Sequence, residues 1–154
     1  MNKLDFEDIF FDSFDTFKVF DDLKLDQVNQ TILNTPKTVW QILNHLIIWQ
    51  QDQLNMLNGK IDLSHINETE TWDIAHPEEQ RIVDNAVLTF KDQIKSIKEI
   101  IASLSTDMPD IQVKLKTIQE ITNHLSFHVG EIILIRRQMK NFPLPGEMKK
   151  FLTE

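Results

Sequence analysis

Between Val83 and Leu104 the apolar residues fall at Val83, Val87, Phe90, Ile94, Ile97, Ile101 and Leu104, in steps of four and three that alternate without a break. Only an α-helix keeps such positions on one face, because strand side chains alternate sides with a period of two. The regular alternation makes that face a seam for packing along neighbouring helices. A chain carrying this seam has to supply other helices to cover it.

Three further segments offer themselves. Phe6, Phe10, Phe14 and Phe17 recur at helical spacing and predict a helix over residues 5–22. A second helix is expected to open at Thr35-Pro36, with proline in its first turn, and to end at Asn58-Gly59. Val39, Leu43, Leu46, Ile47, Leu54 and Leu57 form its apolar face. The seam helix itself is expected to start at Pro77, with Glu78 and Glu79 in its first turn. The last long helix is expected over residues 117–140, closed by the basic cluster Arg136, Arg137 and Lys140, which complements the negative end of a helix.

With only three glycines and five prolines in 154 residues, the chain lacks the turn material of an all-β protein. The expected fold is all-α, one four-helix bundle domain over residues 1–154. Its connections are longer than an up-down bundle needs. Residues 59–76, GKIDLSHINETETWDIAH, have no clear periodicity, and loops of that length in a small domain are often functional. The tail NFPLPGEMKKFLTE reads as a turn followed by a short helix.

A formal charge of −8 repels phosphate backbones and anionic lipid, so neither nucleic acid nor a membrane is expected as a partner. The N-terminal MNKLDFEDIFF has acids where a signal peptide carries an apolar run, and the longest apolar runs are far short of a membrane span. The expectation is a cytoplasmic protein. With no cysteine, any metal here is held by imidazole and oxygen.

Imidazole is where the chemistry concentrates. His124 and His128 stand four apart in TIQEITNHLSFHVGEIILIRR, on one helix face with Cβ atoms roughly 5–6 Å apart. Two imidazoles so placed can converge on one ion. At about 100° per residue, the pair lies between an apolar stripe (Ile118, Ile121, Leu125, Ile132) and the carboxylates Glu120 and Glu131. His45 lies alike in its own helix, with Trp49 and Ile42 on one side and Gln41 and Asp52 on the other. Three histidines and a water make an open shell of the catalytic kind. The plainer alternative is three histidines that each donate to a nearby carbonyl or carboxylate. His65, in a loop, and His76, before Pro77, carry no such signal.

Two segments resemble a known family. VWQILNHLIIWQQDQL (39–54) is similar to the second-helix signature of the DinB/YfiT-like bundles, an Asn-His pair followed by an aromatic-containing helix. NHLSFHVGEIILIRRQM (123–139) resembles their last-helix pattern, His, three residues, His-x-Gly-Gln-Ile and Leu/Arg-rich turns. The separation of about eighty residues between the first and second histidines also fits, and length and helix order agree over nearly the whole chain. The resemblance implies a four-helix bundle with long crossover connections and a divalent metal, zinc, nickel or similar, held by His45, His124 and His128. Family members include metal-dependent hydrolases, and transferases or isomerases acting with low-molecular-weight thiols such as bacillithiol or mycothiol.

Glu131 stands where the family usually has Gln. It is the candidate catalytic carboxylate, as a base or as an orienting group for a metal-bound water, and the alternative is a side chain facing solvent. Asp52, Glu120 and Glu131 are candidate acceptors for the second ring nitrogens of the histidines, and Trp49 and Trp72 candidate walls. The expected activity is hydrolysis or thiol transfer on a small-molecule substrate. The competing expectation is a non-enzymatic bundle that senses metal or keeps a vestigial site and acts as a homodimer.

Overall fold

The structure is a computed structural model describing residues 4–14, 17–60 and 66–153. Among these residues there is no strand, as expected of an all-α chain, and six α-helices occur. They are α1 (Phe6–Phe10), α2 (Leu25–Val28), α3 (Val39–Leu57), α4 (Gln80–Ala102), α5 (Ile111–Gln138) and α6 (Met148–Thr153). Short 3-10 turns occupy Glu68–Trp72 and Pro145–Glu147.

While α1 packs against α4, and α6 against the Pro145–Glu147 turn, helix α3 is the most widely contacted helix. It packs against α4, α5 and the Glu68–Trp72 turn. Thr38 starts it: its Oγ1 accepts from Gln41 N while Gln41 Oε1 accepts from Thr38 N, a reciprocal cap that satisfies two otherwise unpaired donors. That cap sets the boundary, so Pro36 lies in the lead-in and not in the first turn as the sequence suggests. At the other end Gly59 takes a φ of 73°, a left-handed conformation that glycine adopts without a Cβ clash, and Lys60 N donates back to Asn55 O.

Most of the seam of α4 is buried as its spacing requires, with Val87 only half-buried and buried Leu104 two residues past the end of the helix. Val83, Phe90, Ile94, Ile97 and Ile101 are all 7% exposed or less, and they face α3 and α1. The helix starts at Gln80, so Glu78 lies before it and Glu79 is its N-cap residue. Helix α5 starts six residues earlier than its periodicity suggests, because IQVKLK (111–116) alternates apolar and polar like a strand. In the helix Ile111 and Leu115 share the inner side, one turn apart, while Val113 is 59% exposed. The connection from α4 to α5 is correspondingly short, and the long one, between α3 and α4, carries the Glu68–Trp72 turn.

The N-terminal segment departs most from expectation. The helix predicted over residues 5–22 stops at Phe10 and gives way to turns, with positive φ at Asp12, Phe17, Lys18 and Asp22. Phe6 and Phe14 are buried, but Phe17 is 39% exposed, so the phenylalanine stripe is not one helix face. The reason is tertiary. Arg136 on α5, itself buried, donates to the carbonyls of Val19 (2.7 Å) and Asp21 (3.1 Å), groups that a continuous helix would have oriented along its own axis. Arg136 also donates to Asn141 O at 3.1 Å. It is therefore a tether for the irregular segment, beyond complementing a helix end. The tail forms the expected turn and short helix, and Lys18 Nζ donates to Phe151 O at 2.9 Å.

No helix among the described residues is long and apolar enough to cross a membrane.

Candidate metal centre

Helices α3 and α5 lie side by side with their boundary histidines turned toward each other. His45 Nε2 is 3.0 Å from His124 Nε2, and His124 Nε2 is 3.1 Å from His128 Nε2. The three rings form a nearly equilateral set, with centroids 5.0, 4.9 and 4.7 Å apart and planes inclined at 69°, 71° and 81°. His45 and His128 are 3% and 5% exposed, and His124 is half-buried. These three are the group of side chains, among the described residues, whose donor atoms could together hold a metal ion.

The proton inventory tests that fit. Thr71 Oγ1 lies 2.6 Å from the carbonyl of Glu68 and 2.7 Å from His45 Nδ1. A carbonyl cannot donate, so the single hydroxyl proton goes to Glu68 O and Thr71 Oγ1 accepts from His45 Nδ1–H. Neutral His45 therefore carries its proton on Nδ1 and presents a bare lone pair at Nε2. His128 Nδ1 lies 2.6 Å from Glu131 Oε2, which accepts a hydrogen bond from Nδ1–H, and the tautomer so held has its lone pair at Nε2. His124 Nε2 faces both lone pairs and has at most one proton to share between them.

One proton on His124 Nε2 can satisfy at most one of these two contacts, so at least one facing pair of lone pairs, 3.0–3.1 Å apart, repels unless a cation lies among them. That spacing also suits imidazole nitrogens each about 2.0–2.1 Å from a single ion. The donor set fits a divalent metal.

Electrostatics keep the rings in the ligating form. Burial, then the neighbouring His128 and His124, and then Lys37 hold the pKa of His45 down at about 3. Burial and His128 lower that of His124 to about 4. Both rings are neutral at pH 7, so no imidazolium has to be deprotonated before an ion can bind.

Of the three acceptors expected from the sequence, Glu131 is in place. Glu120 instead pairs with Lys116 at 3.7 Å, and no hydrogen bond among the described residues joins Asp52 to an imidazole. Asp52 is seven residues beyond His45, about 10 Å along the helix axis. The acceptor for His45 is Thr71, which the sequence did not single out because a residue in an aperiodic loop has no facial signal. Its placement depends on the loop being fastened to α3. Trp40 Nε1 donates to Ala75 O at 2.8 Å, and Gln41 Nε2 donates to Trp72 O at 3.3 Å.

Aromatic rings wall the centre as anticipated. Trp72 stacks on His45 with centroids 3.7 Å apart, and Trp49 stands edge-on to His45 and His124 at 6.2 and 5.9 Å. His76 is elsewhere, with Nδ1 3.0 Å from Asn29 Oδ1, and His65 lies outside the described residues.

No protein-family model, curated protein or solved structure matches the chain.

Proposed function

We propose that this chain is a DinB/YfiT-like helical bundle that works as a metal-dependent enzyme, with His45, His124 and His128 as the ligands of a divalent ion. The observation that carries the reading is the meeting of three imidazole Nε2 atoms, two of them bare by virtue of Thr71 and Glu131. A divalent ion held by neutral ligands lowers the pKa of a bound water or thiol and so supplies a nucleophile at neutral pH.

The chain's own residues would then have distinct tasks. Thr71 and Glu131 fix the ring orientation and tautomer of His45 and His128. Trp72 and Trp49 keep bulk water from the buried sides of His45 and His124. Glu131 Oε2 is engaged with His128 at 2.6 Å, which supports an orienting task over that of a free general base. The same engagement favours a second reading, a metal-binding bundle without catalysis.

Elemental analysis of untagged protein after equilibrium dialysis tests the metal. About one ion per chain is expected for wild type, and little for His45→Ala or His128→Ala. Equal metal in all three sinks the site. Thiol transfer to an electrophile and ester hydrolysis, each with and without chelator, separate enzyme from scaffold. Activity that survives both chelator and the triple histidine substitution rules out a metal-dependent reaction at His45, His124 and His128.

A further inference from the structure

The 3-10 turn Glu68–Trp72 touches the centre at two points of a single ligand. Thr71, 1% exposed, takes the Nδ1 proton of His45, and Trp72 covers the face of the same ring with planes 11° apart. On its outer side the indole is capped by Lys37, whose Nζ lies 4.8 Å from the ring centroid. The turn is closed by its own short-range bonds: Asn67 Oδ1 accepts from Thr69 N at 3.1 Å, and Glu70 N donates to Asn67 O at 3.0 Å. A preformed turn therefore presents one hydroxyl and one indole to one imidazole; Gln41 Nε2 also ties its last carbonyl, Trp72 O, to α3, and Trp40 Nε1 holds Ala75 O just beyond it.

We propose that this turn is a tautomer-setting clamp: Thr71 is the positioning residue that makes His45 a metal ligand, and metal binding in turn locks the Glu68–Trp72 turn onto α3. The inference rests on the three histidines holding a metal. Its logic is the fate of one proton. With Thr71 present, the His45 proton has a buried acceptor at Nδ1 and Nε2 stays bare. Without that hydroxyl, an Nδ1–H at this buried position has no acceptor, a costly state. The other tautomer then offers better terms, because Nε2–H can donate to His124 Nε2, 3.0 Å away. In that form the lone pair needed by the ion is occupied on His45 and engaged on His124. Clamp and ion thus select the same tautomer, and thermodynamic reciprocity requires that each strengthen the other.

The experiment compares wild type, Thr71→Val, which keeps the side-chain shape, and Thr71→Ser, which restores the hydroxyl. Zinc affinity is measured by competition with a chromophoric chelator. The His45 tautomer is read in metal-free protein from long-range 1H–15N correlations. Backbone exchange is followed at Glu70 and Asp73, with and without zinc. Thr71→Val is expected to bind zinc about 10- to 100-fold more weakly, the usual effect of losing a partner of a ligating histidine. Its His45 proton is expected on Nε2, and Thr71→Ser is expected to return both readouts to wild type. Zinc is expected to slow exchange at Glu70 and Asp73 in wild type and not in Thr71→Val. A wild type that takes up no zinc overturns the metal reading and the coupling together. A wild type that binds zinc, beside a Thr71→Val variant that binds it equally and keeps Nδ1–H, overturns the coupling alone.

Discussion

His128 and Glu131 stand one turn apart on α5 and share a 2.6 Å bond from the imidazole Nδ1–H to carboxylate Oε2. The pair is held within a single helix, so its geometry is set by α-helical spacing. A carboxylate in this place draws the Nδ1 proton toward itself and makes Nε2 a stronger donor to an ion.

Replacing Glu131 by Gln keeps an oxygen acceptor but removes its charge. Metal affinity is expected to fall roughly tenfold in Glu131→Gln and up to about 100-fold in Glu131→Ala. Chelator competition measures both, and circular dichroism should be unchanged because the Glu131 side chain is already 32% exposed. Equal affinity in all three proteins would return Glu131 to the role of a solvent-facing residue.

The metal-free protein should lose stability as pH falls, with a definite sign. His45 has a pKa of about 3 and His124 of about 4 in the native state, against 6.5 for the free side chain. Below pH 6.5 the unfolded chain takes up protons that the native chain does not, so stability is full above 6.5 and declines as pH drops toward the native values. Within that window fully buried His45 removes at most about 1.4 kcal/mol per pH unit, and the more exposed His124 less. Urea midpoints at pH 7, 6 and 5 in chelator should fall in that order, and His45→Asn should show a shallower decline. A wild-type midpoint independent of pH contradicts the depressed values.

Arg136 holds the irregular N-terminal segment by donating to Val19, Asp21 and Asn141 carbonyls. Truncation leaves those acceptors without their donor, and Arg136→Ala is expected to destabilise by roughly 3 kcal/mol or more. Arg136→Lys should rescue little, because a single ammonium cannot reproduce the planar fork. Equilibrium urea unfolding of the two variants checks the ranking. An Arg136→Ala protein as stable as wild type would mean that the turns after Phe10 hold themselves.

The long helices, and each histidine's boundary position, were legible because they depend on repeats within one helix. The meeting of His45 with His124 and His128 depends instead on α3 lying beside α5. The seam of α4, and the boundary positions of His45, His124 and His128, follow from helical angle alone. What the sequence hid is set by contacts distant in the chain. Phe6, Phe10, Phe14 and Phe17 have helical spacing, yet Arg136 claims the carbonyls that follow them. Thr71 has no periodicity to mark it, and it becomes a partner of His45 only because Trp40 and Gln41 fasten the loop to α3. Glu120 and Glu131 flank the histidines at similar angles, yet Glu131 reaches His128 while Glu120 pairs with the exposed Lys116.

Gly130 poses a last, separable question, since it lies in the His-x-Gly-Glu stretch that carries the family resemblance. It sits inside the 28-residue α5, exposed, and a Cβ added there would meet nothing within 4 Å. Glycine inside a helix costs about 0.5–1 kcal/mol relative to alanine, and among the described residues none approaches the place of its Cβ to offset that cost. Two residues beyond His128, it also points about 200° around the helix, away from the metal centre. Gly130→Ala is therefore expected to raise stability by about 0.5–1 kcal/mol in urea unfolding, with zinc affinity unchanged. If the substitution instead lowers stability in a concentration-dependent way, the bare face of α5 is covered by another molecule in solution, and the glycine is there to let it approach.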